Sequence, residues 1–116
     1  MNEKSLTKHL PLTEATYYIL LSLVTPKHGY AVMQEAEKIS AGTVRLAPGT
    51  LYGAFTTLEQ NKLILMVDKE DRRKIYQTTE KGVRILIEQV DRLKIMLRSA
   101  EKISGLLPVN PTKEGN

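Results

Sequence analysis

The run Gly49-Thr50-Leu51-Tyr52 leads into Leu58-Glu59-Gln60-Asn61-Lys62-Leu63-Ile64. The charged run Asp68-Lys69-Glu70-Asp71-Arg72-Arg73-Lys74 comes next, followed by Ile75-Tyr76-Gln77-Thr78. Pro48 suits the start of a helix, where its missing N–H is not needed. Leu51, Phe55 and Leu58 recur at i, i+4 and i+7, with Ala54 beside them, which gives one core-facing stripe. Gly53, Thr56, Thr57 and Gln60 point elsewhere. Leu63 to Val67 and Lys74 to Thr78 are rich in β-branched and aliphatic residues and read as antiparallel strands, with the charged run between them. Helix, strand, charged turn, strand is the layout of a winged helix-turn-helix. It puts one helix and one basic loop on the same side of a small domain.

N-terminal to this stretch, His28-Gly29-Tyr30 opens another helix whose apolar face is Val32, Met33, Ala36 and Ile39, stopped by Ser40-Ala41-Gly42. Thr43 to Leu46 is expected to be a short extended piece pairing with the wing. Further back, Thr13 is a plausible N-cap and Glu14 favours the helix dipole. Ala15 to Val24 is apolar nearly all round, so this helix should lie between its own core and a second subunit, before Pro26 ends it.

C-terminal to the wing, Thr79-Glu80 begins the longest helix, expected to reach about Ser104. Val83, Leu86, Val90, Leu93, Leu97 and Ala100 alternate steps of three and four, a heptad seam suited to pairing helices. Ile85, Ile87, Ile95, Met96 and Ile103 fall outside the seam, so more than one side needs covering. The expected organisation is a winged-helix domain over residues 10–79, a dimerisation helix over 80–104, and flexible tails at 1–9 and 105–116. The fold class is mainly α with a small β-hairpin wing.

The chain has 116 residues, 41% of them hydrophobic and 26% charged, with a formal net charge of +4. That is one modest soluble domain with a mild preference for polyanions. With no cysteine, disulfides and thiolate metal sites are excluded, and a cytoplasmic location fits. The start, Met1 to Ser5, lacks an apolar signal core, and the longest uncharged apolar-rich run, Ala15 to Val24, is about half of a membrane span. His9 and His28 have no metal-ligand neighbour at i+3 or i+4. The wing acids lack the glycine and terminal glutamate of a calcium loop. Neither a phosphate-cradling glycine loop nor a nucleophile elbow occurs. Enzyme chemistry and a metal or other cofactor are therefore not expected.

Nucleic-acid binding has more support. Gly53, Thr56 and Thr57 are small and uncharged, which lets their helix approach a groove closely. Threonine hydroxyls can meet phosphates or base edges, and their methyls can meet thymine methyls. Tyr52 can place its hydroxyl on a phosphate, although a core tyrosine is the plainer reading. Arg72, Arg73 and Lys74 are contiguous cations suited to phosphate contact, whereas a solvated turn is the usual meaning of such a run. Asp68, Glu70 and Asp71 dilute their charge.

Taken together, His28-Gly29-Tyr30, Gly49-Thr50-Leu51-Tyr52, Leu58-Glu59, Leu63-Ile64, Arg73-Lys74-Ile75-Tyr76 and Thr79-Glu80-Lys81-Gly82 keep the order and spacing of the PadR family of bacterial transcriptional regulators. The chain resembles the short subfamily with a single C-terminal helix, which includes multidrug-responsive repressors. That resemblance implies a homodimeric repressor on a palindromic operator in double-stranded DNA. It implies that Thr50, Tyr52, Gly53, Thr56 and Thr57 face the major groove, with Arg72, Arg73 and Lys74 on the flanking backbone. It also implies a dimer contact between first and last helices, here Ala15, Ile19, Val83, Leu86, Val90, Leu93, Leu97 and Ala100. In some relatives a flat aromatic drug sits between these helices. The matching pocket here would involve Leu12, Ala15, Leu93 and Leu97, for a small apolar or aromatic effector, unless those residues simply fill the interface.

Several positions depart from the family pattern. Thr56 and Thr57 stand where relatives often carry Lys or Arg, Lys62 where a glycine is usual, and Thr78 where a leucine is usual. The wing lacks its glycine. Leu93 takes the place of the drug-stacking tryptophan, and the chain has no Trp. The competing reading is a winged-helix module that binds protein and no DNA.

Overall fold

A computed structural model describes residues 6–106 of the chain. The elements are α1 (Glu14–Ser22), α2 (Gly29–Ile39), α3 (Pro48–Gln60), β1 (Ile64–Glu70), β2 (Arg73–Thr78) and α4 (Glu80–Ala100), followed by a 3₁₀ turn, Glu101–Gly105. The fold is a winged helix with a long C-terminal helix. Four helices and the antiparallel hairpin surround a core that includes Ile19, Leu20, Leu23, Val32, Leu51, Phe55, Leu63, Ile64 and Ile85.

Local chemistry explains the boundaries. Thr13 Oγ1 caps α1 by accepting from Thr16 N at 3.1 Å. Thr79 Oγ1 caps α4 by accepting from Gly82 N at 3.1 Å, and its own proton goes to Lys62 O at 2.7 Å. One threonine thus starts the last helix and ties it to the end of α3. Gly82 sits where α4 crosses β1: a Cβ there would lie 2.5 Å from both Leu63 O and Thr78 Cγ2. At the end of α3, Leu63 N donates to Leu58 O (2.9 Å) and Lys62 N to Glu59 O (3.0 Å). These are the paired bonds of a Schellman cap, and Lys62 adopts the left-handed φ of 61° that glycine usually supplies.

Four sequence expectations are corrected. Thr43 to Leu46 forms no strand. Lys27 pairs with the wing instead, exchanging both backbone bonds with Tyr76 at 3.1 Å. The loop after α2 is held locally, because Val44 N donates to Ser40 Oγ at 3.0 Å and Leu46 is buried. Second, the charged run is mostly strand. β1 continues through Glu70 and β2 begins at Arg73, leaving Asp71 and Arg72 as the turn, with Asp71 at φ 56°. Strands projecting into water need no apolar face, so the change to charged residues does not end them. A bulge between Met66 and Asp68 shifts the register. Third, α1 ends at Ser22 rather than near Pro26, since Thr78 N takes the Leu23 carbonyl at 2.8 Å. Fourth, the expected N-terminal tail reaches too far: Leu6 is only 8% exposed and joins the core. The rest of that segment, 1–5, and the C-terminal stretch 107–116 lie outside the described residues.

The first half of α4 belongs to the same core as the winged helix, with Gly82, Ile85, Leu86 and Gln89 buried. From Asp91 to Ala100 every residue is exposed.

Candidate nucleic-acid interface

α3 divides its side chains as the periodicity requires. Leu51, Phe55 and Leu58 are buried, and Thr50, Tyr52, Gly53, Thr56 and Thr57 are all exposed. The exposed face is positioned by an aromatic series. The Tyr52 ring meets Phe55 edge-on at 5.8 Å, and Phe55 meets Tyr76 of β2 at 5.0 Å. Tyr52 also lies across Gly29 at the start of α2. A Cβ on Gly29 would stand 2.6 Å from the tyrosine oxygen and 2.9 Å from two ring carbons. The sequence runs containing Gly29 and Tyr52 therefore meet in space. Tyr52 is neither a core tyrosine nor a free one: half its surface packs, and 54% stays in solvent.

Between α3 and the wing lies a cleft of about 450 Å³ lined by His28, Tyr52, Thr56, Glu59, Arg72, Arg73, Lys74 and Tyr76, with Gly29 and Phe55 at its floor. Arg73 Nη1 donates to His28 Nε2 at 3.3 Å, which requires the neutral imidazole with its proton on Nδ1. His28 is the N-cap of α2 but makes no side-chain cap bond. The cleft thus gathers three cations, two phenols and a helix N-terminus lacking a side-chain cap, all of which favour an anion. Glu59 opposes it. Tyr76 stays protonated, its phenol pushed above the ordinary range by burial, with smaller contributions from Glu59 and Tyr52.

The acids of the wing do not neutralise its cations by direct pairing. Among the described residues the ion pairs are Arg84–Glu80 and Arg45–Glu37, and neither involves the wing. Asp68 Oδ1 instead accepts from Lys69 N at 2.7 Å. The register places Lys69 directly opposite Lys74. Opposed like charges destabilise a hairpin, and a bound anion would relieve them. Lys69 and His28 were missed as interface residues. A turn assigned to Asp71-Arg72 would have revealed the Lys69–Lys74 pair, whereas no sequence signal brings His28 to Arg73.

The residues assigned to a dimer contact divide into two sets. Ile19 is 0% exposed within one chain, so it offers no surface to a partner, which corrects its assignment. A seam read from spacing cannot tell an inward stripe from an outward one. Leu86, 5% exposed, lines an outer groove with Val83, Val90, Leu21, Val24 and Ile87. Leu93, Leu97 and Ala100 are exposed, and Ala15 is half-buried. The assigned effector residues also separate. Leu12 and Leu93 line one cavity of about 360 Å³ with Tyr17, Tyr18, Gln89 and Met96, whereas Ala15 and Leu97 do not border it. Leu12 N donates to Gln89 Oε1 at 2.8 Å, which fixes one wall.

Among the described residues no acid, histidine or cysteine cluster could hold a metal, and no helix is long and apolar enough to cross a membrane. Comparison with known proteins gives a consistent family. The chain is 34% identical over 74 residues to an uncharacterised 37.1 kDa protein of a Streptomyces fradiae transposon, and it spans only 21% of that protein's length. It is similar in fold to a transcriptional regulator from Clostridium thermocellum (TM-score 0.64, 18% identity, 88% of this chain and 96% of that one). A PadR family transcriptional regulator from Eggerthella lenta matches as well (TM-score 0.64, 23% identity, 88% of this chain and 87% of that one). Residues 18–88 match the family model described as the transcriptional regulator PadR-like family. That span holds the aromatic series, the cleft and the wing, and on it the chain belongs to the PadR-like family of transcriptional regulators.

Proposed function

We propose that the protein is a cytoplasmic, homodimeric DNA-binding repressor that reads a palindromic operator and releases it when a small apolar or aromatic effector binds. The observation that carries this reading is the polar, exposed face of α3 beside a wing whose cations have no acidic partners. A duplex supplies the missing anions: α3 lies in the major groove, while Tyr52, Arg72, Arg73, Lys74 and Lys69 take phosphates on its flank. The exposed apolar residues of α4 pair two copies, and the dimer spacing sets the half-site separation. Effector binding in the cavity between Leu12 and Leu93 can act only by favouring one arrangement of the two DNA-binding units over another.

The test is anisotropy with the chain's own promoter across a salt series. Wild-type binding should fall steeply with salt, by a log–log slope of about 0.9 for each neutralised phosphate. Replacing Arg72, Arg73 and Lys74 with alanine should flatten that slope by about two to three units at unchanged thermal stability. No binding at low salt would favour the protein-interaction module instead.

A further inference from the structure

We infer that the operator segment under α3 is composed of A·T pairs, and that Thr56 recognises the thymine methyl. This rests on the DNA-binding reading above and specifies what that face selects. α3 carries neither Arg nor Lys, and its one carboxylate, Glu59, lines the cleft beneath the wing. In the major groove guanine presents only acceptors, N7 and O6, which Arg or Lys reads in bidentate fashion, whereas Asn and Gln pair with adenine. The groove-facing side of α3 has no such cation.

Thr56 is more restricted than its residue type suggests. Its Oγ1 donates to Tyr52 O at 3.0 Å, one turn back along the helix. That proton is committed to the backbone, so Thr56 offers a duplex only a methyl group and oxygen lone pairs. An A·T pair presents the complement of both, the thymine C5-methyl and the adenine N6 amino group. Cytosine has the amino group, but it lacks the methyl and pairs with a guanine edge of acceptors. Gln60, exposed one turn further on, is the side chain that reads adenine N6 and N7 together. Nothing lies within 4 Å of the space a Cβ would fill on Gly53, so the backbone can approach the bases closely at that turn.

The experiment uses the full chain and three alternating duplex polymers: poly(dA-dT), poly(dA-dU) and poly(dG-dC). Uracil removes only the methyl of thymine. Poly(dA-dT) should bind best, and poly(dA-dU) about fourfold more weakly for each thymine methyl that Thr56 would otherwise cover. Thr56→Ser keeps the backbone hydrogen bond and deletes the threonine methyl, so it should shrink the thymine-to-uracil ratio. Equal wild-type binding to the thymine and uracil polymers would overturn the inference and leave the DNA-binding reading standing. So would an unchanged ratio in Thr56→Ser, or tightest binding to poly(dG-dC). No binding to any duplex at low salt would overturn both.

Discussion

α3 and the outer half of α4 are both helical surfaces left open by the same small core, yet they expose opposite chemistry. The open face of α3 is glycine, threonine and a half-packed tyrosine, next to unpaired cations. Along α4, the open face carries Leu93, Ile95, Met96 and Leu97, the last 70% exposed. A polar face costs nothing in water and can wait for an occasional ligand. An apolar face of this size favours permanent cover, because each large side chain buried on association is worth about 1.5–3 kcal/mol before ordering costs. On the proposed reading the two surfaces meet different partners: a duplex bound reversibly, and a second protein surface held constitutively.

The strongest way to break this contrast is to make α4 resemble α3. Leu93→Asp with Leu97→Asp should turn a dimer into a folded monomer, with dimer affinity down by about a hundredfold or more, because two charges from each subunit would be desolvated at about 1.4 kcal/mol or more apiece. Sedimentation equilibrium reads the mass and circular dichroism the retained fold. If the double variant stays dimeric, the apolar face of α4 has another use.

A second change attacks α3 through its support. Gly29→Ala should displace the Tyr52 ring at little cost in stability, because the atoms it meets are the far end of a half-exposed side chain. DNA affinity should fall, while dimer mass stays constant. Urea titration and anisotropy measure the two effects separately.

A third change should touch neither surface. Lys62→Gly relieves a left-handed backbone position at the junction of α3 and β1 and should stabilise by about 1 kcal/mol. Mass and DNA binding should be unchanged, so a large change in either would show that the two surfaces communicate through this cap.

The smallest expected effect concerns acid. His9 Nε2 is buried without a hydrogen-bond partner. Burial, then Lys81 and Lys8, hold its pKa below the ordinary 6.5. The unfolded chain therefore binds this proton more readily than the folded one. The contribution of neutral His9 is complete above pH 6.5 and declines as pH falls from there through the lower folded value. Thermal unfolding across that window should show a shallow slope in the wild type, reduced in His9→Gln.

Much of the architecture was legible in the chain. The threonine caps at Thr13 and Thr79, the stripe of Leu51, Phe55 and Leu58, and the exposure of Thr56 and Thr57 all follow from rules that act within a few residues. Hydrogen-bond reach and helical period are local, so a sequence can state them. The wing ran longer than its apolar composition suggested, because strand pairing of a solvent-exposed hairpin is decided by register.

Local rules were enough to mark the helices, the hairpin and their order, and which side of α3 is polar, though they also suggested a strand at Thr43 to Leu46 that does not form. Only the tertiary structure decided that Lys27 pairs with the wing, that Tyr52 rests on Gly29, and that Arg73 reaches His28. It alone separated Ile19, sealed in the core, from Val83 and Leu97, left outside. Each of these depends on the distance between residues far apart in the chain. Periodicity marks a stripe as apolar, and the packing of α1 against α4 determines whether that stripe is already covered.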